Sequence, residues 1–301
     1  MIRQYLKIIR PHIIVGGILA FTVGALLGLA NGGVFNPAVF AVCYATVFFG
    51  DLSTHFSNDY FDVKQDKEKH KKSVFSNQKV LTNKPEMLPL TKKIAVTLLA
   101  TSLLISFLAV IFDIAPLAVL LIMIGANFLG WFYSSPPLRL VSRGLGEVTI
   151  ALAVGFAIPA VGYLSSKGTL DSWYGLFVVP FIFYAFMLAL SLEAPDIEGD
   201  RLGDKKTLGV TKGVRAVFAL FFFLALAVFF VFLYFAWQAP ISSVNFSVFA
   251  VFSSIPLIAG LTSLLQVLKG KNAQAPSAIN GVSLFLINML IFAYLILILL
   301  Y

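Results

Sequence analysis

Nine stretches of about 20 mostly apolar residues run through this chain, and they limit its fold more than any other feature. A transmembrane helix needs about 20 such residues. The stretches cover about 13–30, 36–57, 94–111, 115–133, 145–165, 173–193, 214–236, 245–268 and 279–300. Backbone groups in lipid must be satisfied internally, so long apolar runs mean helices; barrel strands would alternate apolar with polar. Only 12% of the 301 residues are charged, against roughly 25% in a soluble domain. The N-terminus has a basic start and then an apolar run, like a signal peptide. It lacks a convincing cleavage site and further spans follow, so it reads as the first helix. The expected fold is an all-α, polytopic membrane bundle of nine transmembrane helices. It forms one domain over residues 1–301, built of two pseudo-repeated halves. The single cysteine, Cys43, excludes a disulfide framework within one chain and any Cys-based zinc site.

The charges then orient the bundle. Of 22 Lys and Arg residues, 21 fall in the N-terminal segment and in the loops after spans 2, 4, 6 and 8; Lys167 is the exception. Positive-inside bias puts these segments in the cytoplasm and, with nine spans, Tyr301 outside a multi-pass cell-membrane protein. The net charge of +8 is therefore a topology signal. It points to lipid headgroups or an anionic substrate, not to nucleic acid.

Acid remains where topology does not ask for it. The end of span 2 carries Asp51, His55, Asn58, Asp59, Asp62 and Asp66; the end of span 6 carries Glu193, Asp196, Glu198, Asp200 and Asp204. Residues four apart share a helix face. Asn58, Asp62 and Asp66 make one row, and Asp196, Asp200 and Asp204 another. Such like charges repel, so two facing rows call for a counterion. Oxygen ligands without a Cys or His cluster select Mg²⁺ or Mn²⁺, which usually share their remaining positions with water and substrate phosphate. Nearby Lys and Arg then read as phosphate clamps. The bland alternative is a pair of solvated helix ends, with Lys64, Lys67, Lys69, Lys71 and Lys72 neutralising Asp66 or holding lipid headgroups.

Asn58-Asp59-x-x-Asp62-x-x-x-Asp66 and Asp196-x-x-x-Asp200 resemble the paired motifs of the UbiA-type intramembrane prenyltransferases. A third block, Gly130-Trp-Phe-Tyr133-Ser-Ser-Pro136-Pro137-Leu-Arg139 followed by Arg143-Gly144-Leu-Gly146-Glu147, resembles that family's loop after helix 4. The wording is most like 1,4-dihydroxy-2-naphthoate prenyltransferases. Two departures stand out: Lys67 to Ser76 is lysine-rich where many relatives are rich in Arg and Pro, and Asp204 stands where relatives often have Gly.

The resemblance implies Mg²⁺-dependent transfer of a prenyl group from a polyprenyl diphosphate, at a cytoplasmic-side active site. The acceptor would be aromatic, such as 1,4-dihydroxy-2-naphthoate or 4-hydroxybenzoate, or alternatively a lipid such as geranylgeranylglyceryl phosphate. Two ions are expected, one on Asn58 and Asp62 with Asp66 close by, the other on Asp196 and Asp200. Arg139, Lys205, Lys206 and Lys72 would add positive charge at the diphosphate, and Tyr133 a hydroxyl donor. Asp51 and His55, deeper in helix 2, together with Asp59, are acceptor-side candidates; ionisable groups at such depth are functional by default. The plain alternative is that Asp51 and His55 only pair with each other. A cation-coupled transporter would place its acids nearer the midplane. A CDP-alcohol phosphotransferase would show an Asp-Gly…Ala-Arg signature, which is absent.

Overall fold

A computed structural model describes residues 8–63, 80–240 and 243–300. Among these the chain is helical, with no strand. Nine long helices follow one another: α1 Pro11–Ala30, α2 Pro37–Phe61, α3 Leu88–Ile111, α4 Leu117–Ser134, α5 Gly146–Lys167, α6 Ser172–Glu193, α7 Val214–Gln238, α8 Phe246–Leu268 and α9 Gln274–Leu300. Eight are long and apolar enough to cross a membrane; α1 counts as a shorter apolar helix over Ile14–Ala30. The expected spans are met within a few residues, except that α3 begins a turn and a half early at Leu88.

Local chemistry sets the boundaries. Asn36 caps α2 by accepting from the backbone of Ala38 at 3.0 Å and Val39 at 3.3 Å, with Pro37 in the first turn. Asp171 caps α6 through the Tyr174 amide at 3.1 Å. Both satisfy amides that a helix start leaves open.

Lipid offers no hydrophobic drive between helices, so close packing and polar pairs join them. On α1, a Cβ at Gly24 would collide with the Pro159 carbonyl, and one at Gly28 with the Ser166 hydroxyl; on α5, a Cβ at Gly162 would strike Phe21. Small residues thus bring α1 and α5 backbone to backbone. Ser102 of α3 donates to the Thr46 carbonyl of α2 at 2.7 Å, and Asn127 of α4 donates to Ser102 at 3.1 Å. The second half packs through rings: Phe177, Phe232, Phe246 and Phe249 form one cluster joining α6, α7 and α8. Helix α9 returns against α1 and closes the bundle.

The lone basic residue outside the charged end has a specific use. Lys167 Nζ donates to the Asn31 carbonyl at 2.6 Å, Asn31 donates to Tyr163 and Asp171 at 2.7 and 2.9 Å, and Tyr163 donates to Asp171 at 2.9 Å. This network ties the far ends of α1, α5 and α6 together. The residues of both acidic loops gather at the opposite end.

Candidate active site

Helix α2 ends at Phe61, and Asp62 closes it with its amide on the Asn58 carbonyl at 2.9 Å. Asn58 and Asp62 therefore stand on one face, one turn apart. Asp62 is 7% exposed. Asn58 Oδ1 and Asp62 Oδ1 are buried without a hydrogen-bond partner, while Asp62 Oδ2 pairs with Lys205 Nζ at 2.9 Å. Asp66 and Lys72 lie outside the described residues.

The second loop starts where Pro195 interrupts α6. A 3₁₀ turn, Ala194–Asp196, leads into a short helix, Ile197–Leu202. Asp196 is half-buried and Asp200 buried. The row expected through Asp204 does not form. The helix stops before Gly203, and Asp204 follows with φ 56°, exposed. That left-handed conformation favours Gly and tolerates Asp.

The Lys205 amide bonds back to the Asp200 carbonyl at 2.9 Å, and its ammonium lies 2.9 Å from Asp62 and 3.9 Å from Asp200 Oδ1. One cation thus touches carboxylates from two loops separated by four helices of sequence. Asp62 and Asp200 are thus brought together, with a lysine between them.

The third block supplies a wall. The Tyr133 hydroxyl donates to Glu193 Oε1 at 3.4 Å, and Glu147 lies beside Glu193. Glu147 is buried and accepts the Leu208 amide at 2.5 Å. Arg139 follows with φ 39°, its amide on the Ser135 carbonyl at 2.9 Å, and its Nη2 is buried without a partner. Thr207 caps the short helix Leu208–Lys212 ahead of α7. The Lys206 side chain is exposed and lines a different crevice, beside Arg143.

Arg10 is the residue that sequence reasoning missed. Its guanidinium contacts Asp59 Oδ1 at 2.5 Å, and Asp59 is 2% exposed. Ile8, fully buried with Phe56, Val80, Leu81 and Met87, pins the same segment. The signal was present as Arg10-Pro11, a cation placed just ahead of a helix whose first residue is Pro. Asp51 and His55 lie 3.6 Å apart on the same stripe of α2 as Asp59. Asp51 faces α1 at Gly17, where a Cβ would come within 3.5 Å of it.

Asp59, Asp62, Glu147 and Asp200 are all buried, and Asp196 and Glu193 are half-buried beside them. Arg10, Arg139 and Lys205 are the cations described above. Buried charge must be paired or coordinated. Among the described residues no three His, Cys, Asp or Glu side chains converge tightly enough to hold a metal alone. Mg²⁺ takes one or two carboxylates and fills its octahedron with water and phosphate oxygens. The unpartnered oxygens of Asn58 and Asp62 are the right donors for it.

The comparisons with known proteins agree on the fold. The digeranylgeranylglyceryl phosphate synthase of Ignicoccus hospitalis is 29% identical over 233 residues, 73% of this chain and 69% of that protein. A UbiA homologue from Archaeoglobus fulgidus, solved bound to DMAPP and Mg²⁺, superposes with a TM-score of 0.72 over 98% of this chain and 99% of its own, at 17% identity. The apo UbiA homologue from Aeropyrum pernix gives 0.66 over 91% and 95%, at 12% identity. The UbiA prenyltransferase family matches residues 18–289, so the chain belongs to that family and is a membrane prenyltransferase.

Proposed function

We propose that the chain transfers a prenyl group from a polyprenyl diphosphate to an electron-rich acceptor, with Mg²⁺, at the end of the bundle where the two acidic loops meet. The observation that carries this is the Lys205 ammonium on both Asp62 and Asp200, with the unpartnered Asn58 Oδ1 and Asp62 Oδ1 on one face of α2. A cation between carboxylates from two loops, with unpartnered oxygens on one of them, matches a cation–diphosphate ligand. The Archaeoglobus homologue bound to DMAPP and Mg²⁺ supports the same reading.

Asn58, Asp62, Asp196 and Asp200, joined by Asp66, would hold the metal, which supplies charge compensation at the diphosphate. Arg139 and Lys205 donate to its oxygens, and the Tyr133 hydroxyl adds a donor held by Glu193. The prenyl C1–O bond breaks and diphosphate leaves with the bonding pair. The allylic cation is attacked by acceptor carbon or oxygen, and the acceptor loses a proton or, for a carboxylated ring, CO₂. Water must be kept from that cation. Phe61, next to Asp62 in the chain, stands edge-on to Trp131 at 5.8 Å.

Two acceptor classes are in contention. Motif wording favours an aromatic quinone precursor. The 29% identity to the Ignicoccus enzyme favours geranylgeranylglyceryl phosphate. Purified protein given radiolabelled geranylgeranyl diphosphate, Mg²⁺ and each acceptor separates them. Label moving to neither, with protein that still binds the diphosphate, overturns both. Asp51 and His55 serve the acceptor in this reading. Asp51→Asn is expected to keep diphosphate affinity while transfer falls or acceptor preference changes. Unchanged transfer with every acceptor would leave Asp51 and His55 as a plain i,i+4 pair.

The acidic end faces the cytoplasm in this proposal, because by sequence 21 of the 22 basic residues fall in the N-terminal segment and in the loops on that side. Single cysteines introduced at Ser76 and Ser242 in a Cys43-free background should react with impermeant reagents from opposite faces. Reaction from one face would refute the arrangement.

A further inference from the structure

Beside the active site, on the other side of Glu147, lies a crevice of about 260 Å³ lined by none of the residues that act in the proposed prenyl transfer. Its rim carries Arg143, Lys206 and the Thr211 hydroxyl; its wall is Val148, Phe186 and Leu208. The rim is preorganised. Arg143 Nε and Nη2 donate to the carbonyls of Leu138 and Pro137 at 2.5 and 3.2 Å, and the Lys206 amide donates to Val141 at 3.0 Å. Lys212 and Arg215, both exposed, add to the positive field nearby. The apolar wall does not end at the crevice. Val148 is 42% exposed, and Leu145 and Leu152 on the same helical end are exposed too, at 44% and 37%. In a membrane bundle that is a lipid-facing strip.

The geometry points to a binding site for the phosphate headgroup of an anionic phospholipid, with an acyl chain lying along Val148 and Leu152. Basic pockets between transmembrane helices on the cytoplasmic side are suited to such headgroups. Two features favour a lipid over a free anion. The cations sit at the rim and the apolar surface runs from there into the lipid-facing strip. The floor is Glu147, already committed to the Leu208 amide and lying against Glu193, which repels an anion that enters fully. The same carboxylate walls the crevice off from the diphosphate side. Since the rim joins the segment after Arg139 to the segment after Lys205, an occupying lipid would hold together two loops that serve the reaction.

Native mass spectrometry of the full chain in zwitterionic micelles, titrated with phosphatidylglycerol, tests this. One phosphatidylglycerol per chain should outlast the others, and phosphatidylcholine should not replace it. Arg143→Gln should weaken retention about fivefold, the usual contribution of one cation at a membrane surface, and Arg143→Lys should restore most of it. Val148→Trp fills the crevice while keeping both rim cations and should weaken retention comparably. Unchanged retention in either Arg143→Gln or Val148→Trp overturns the site. So does displacement of the lipid by inorganic phosphate at equal concentration, which would make it a free-anion site.

Discussion

Asp62→Asn and Asp200→Asn, each purified folded, are expected to lose about a thousandfold in turnover. Both side chains are buried, and both meet the Lys205 ammonium. Charge compensation at a leaving diphosphate contributes several kcal/mol to the transition state, and each 1.4 kcal/mol is about tenfold in rate. The amide keeps the volume and one oxygen, so the lost charge, not a cavity, causes the drop. Circular dichroism and gel filtration should match wild type. Raising Mg²⁺ should recover part of the Asp62→Asn activity, because a weakened site fills by mass action. Lys205→Met separates the two jobs of the bridge. As a diphosphate donor its loss raises KM for the prenyl substrate; as a mere counterion its loss leaves KM alone and eases Mg²⁺ binding. If both aspartate variants keep near wild-type rates, the loops are solvated helix ends and the proposed chemistry fails.

How much of this was legible in the sequence varies with the range of the physics. The spans were readable because lipid leaves a chain few options, so hydropathy alone nearly fixes the helices. The pairing of the loops was readable in outline, because acid on one face of two helix ends has few uses. Who neutralises that acid was not readable. Lys205 bridges Asp62 and Asp200; Lys206, its neighbour and equal on paper, lines another crevice. A one-residue difference in direction follows from Gly203 and the left-handed Asp204, and i,i+4 arithmetic does not carry past a helix end. Lys167 looked like an exception to a charge rule and proved to be a cap on the Asn31 carbonyl. That contact depends on α1 and α5 touching, which rests on Gly24, Gly28 and Gly162 meeting backbone.

Arg10→Ala is expected to destabilise the acidic end by about 3 kcal/mol. Removing one partner of a buried ion pair costs about 3–5 kcal/mol, because the other charge stays desolvated. Asp59 is 2% exposed, but the Arg10 side chain is 23% exposed, so solvent moderates the loss toward the low end. Arg10 also precedes a proline with φ 51°, a backbone state that non-glycine residues hold only where surroundings impose it. The buried Ile8 and the Asp59 contact are what impose it here. Losing the guanidinium should therefore free the segment ahead of α1 as well as the last turn of α2. Asn58 stands next to Asp59 in that turn, so the Mg²⁺ needed for half-maximal activity should rise too. A passive strut would lower stability without moving that Mg²⁺ requirement. The double variant Arg10→Ala with Asp59→Ala should recover part of the stability, since the Asp59 charge is then removed together with its Arg10 partner. A double-mutant cycle by SDS-titration unfolding should give a coupling above about 1.5 kcal/mol, within the range for residues in one ion-pair network. Coupling near zero would mean that Asp59 is held by its other contacts, and Arg10 would then be a surface cation with no part in shaping the site.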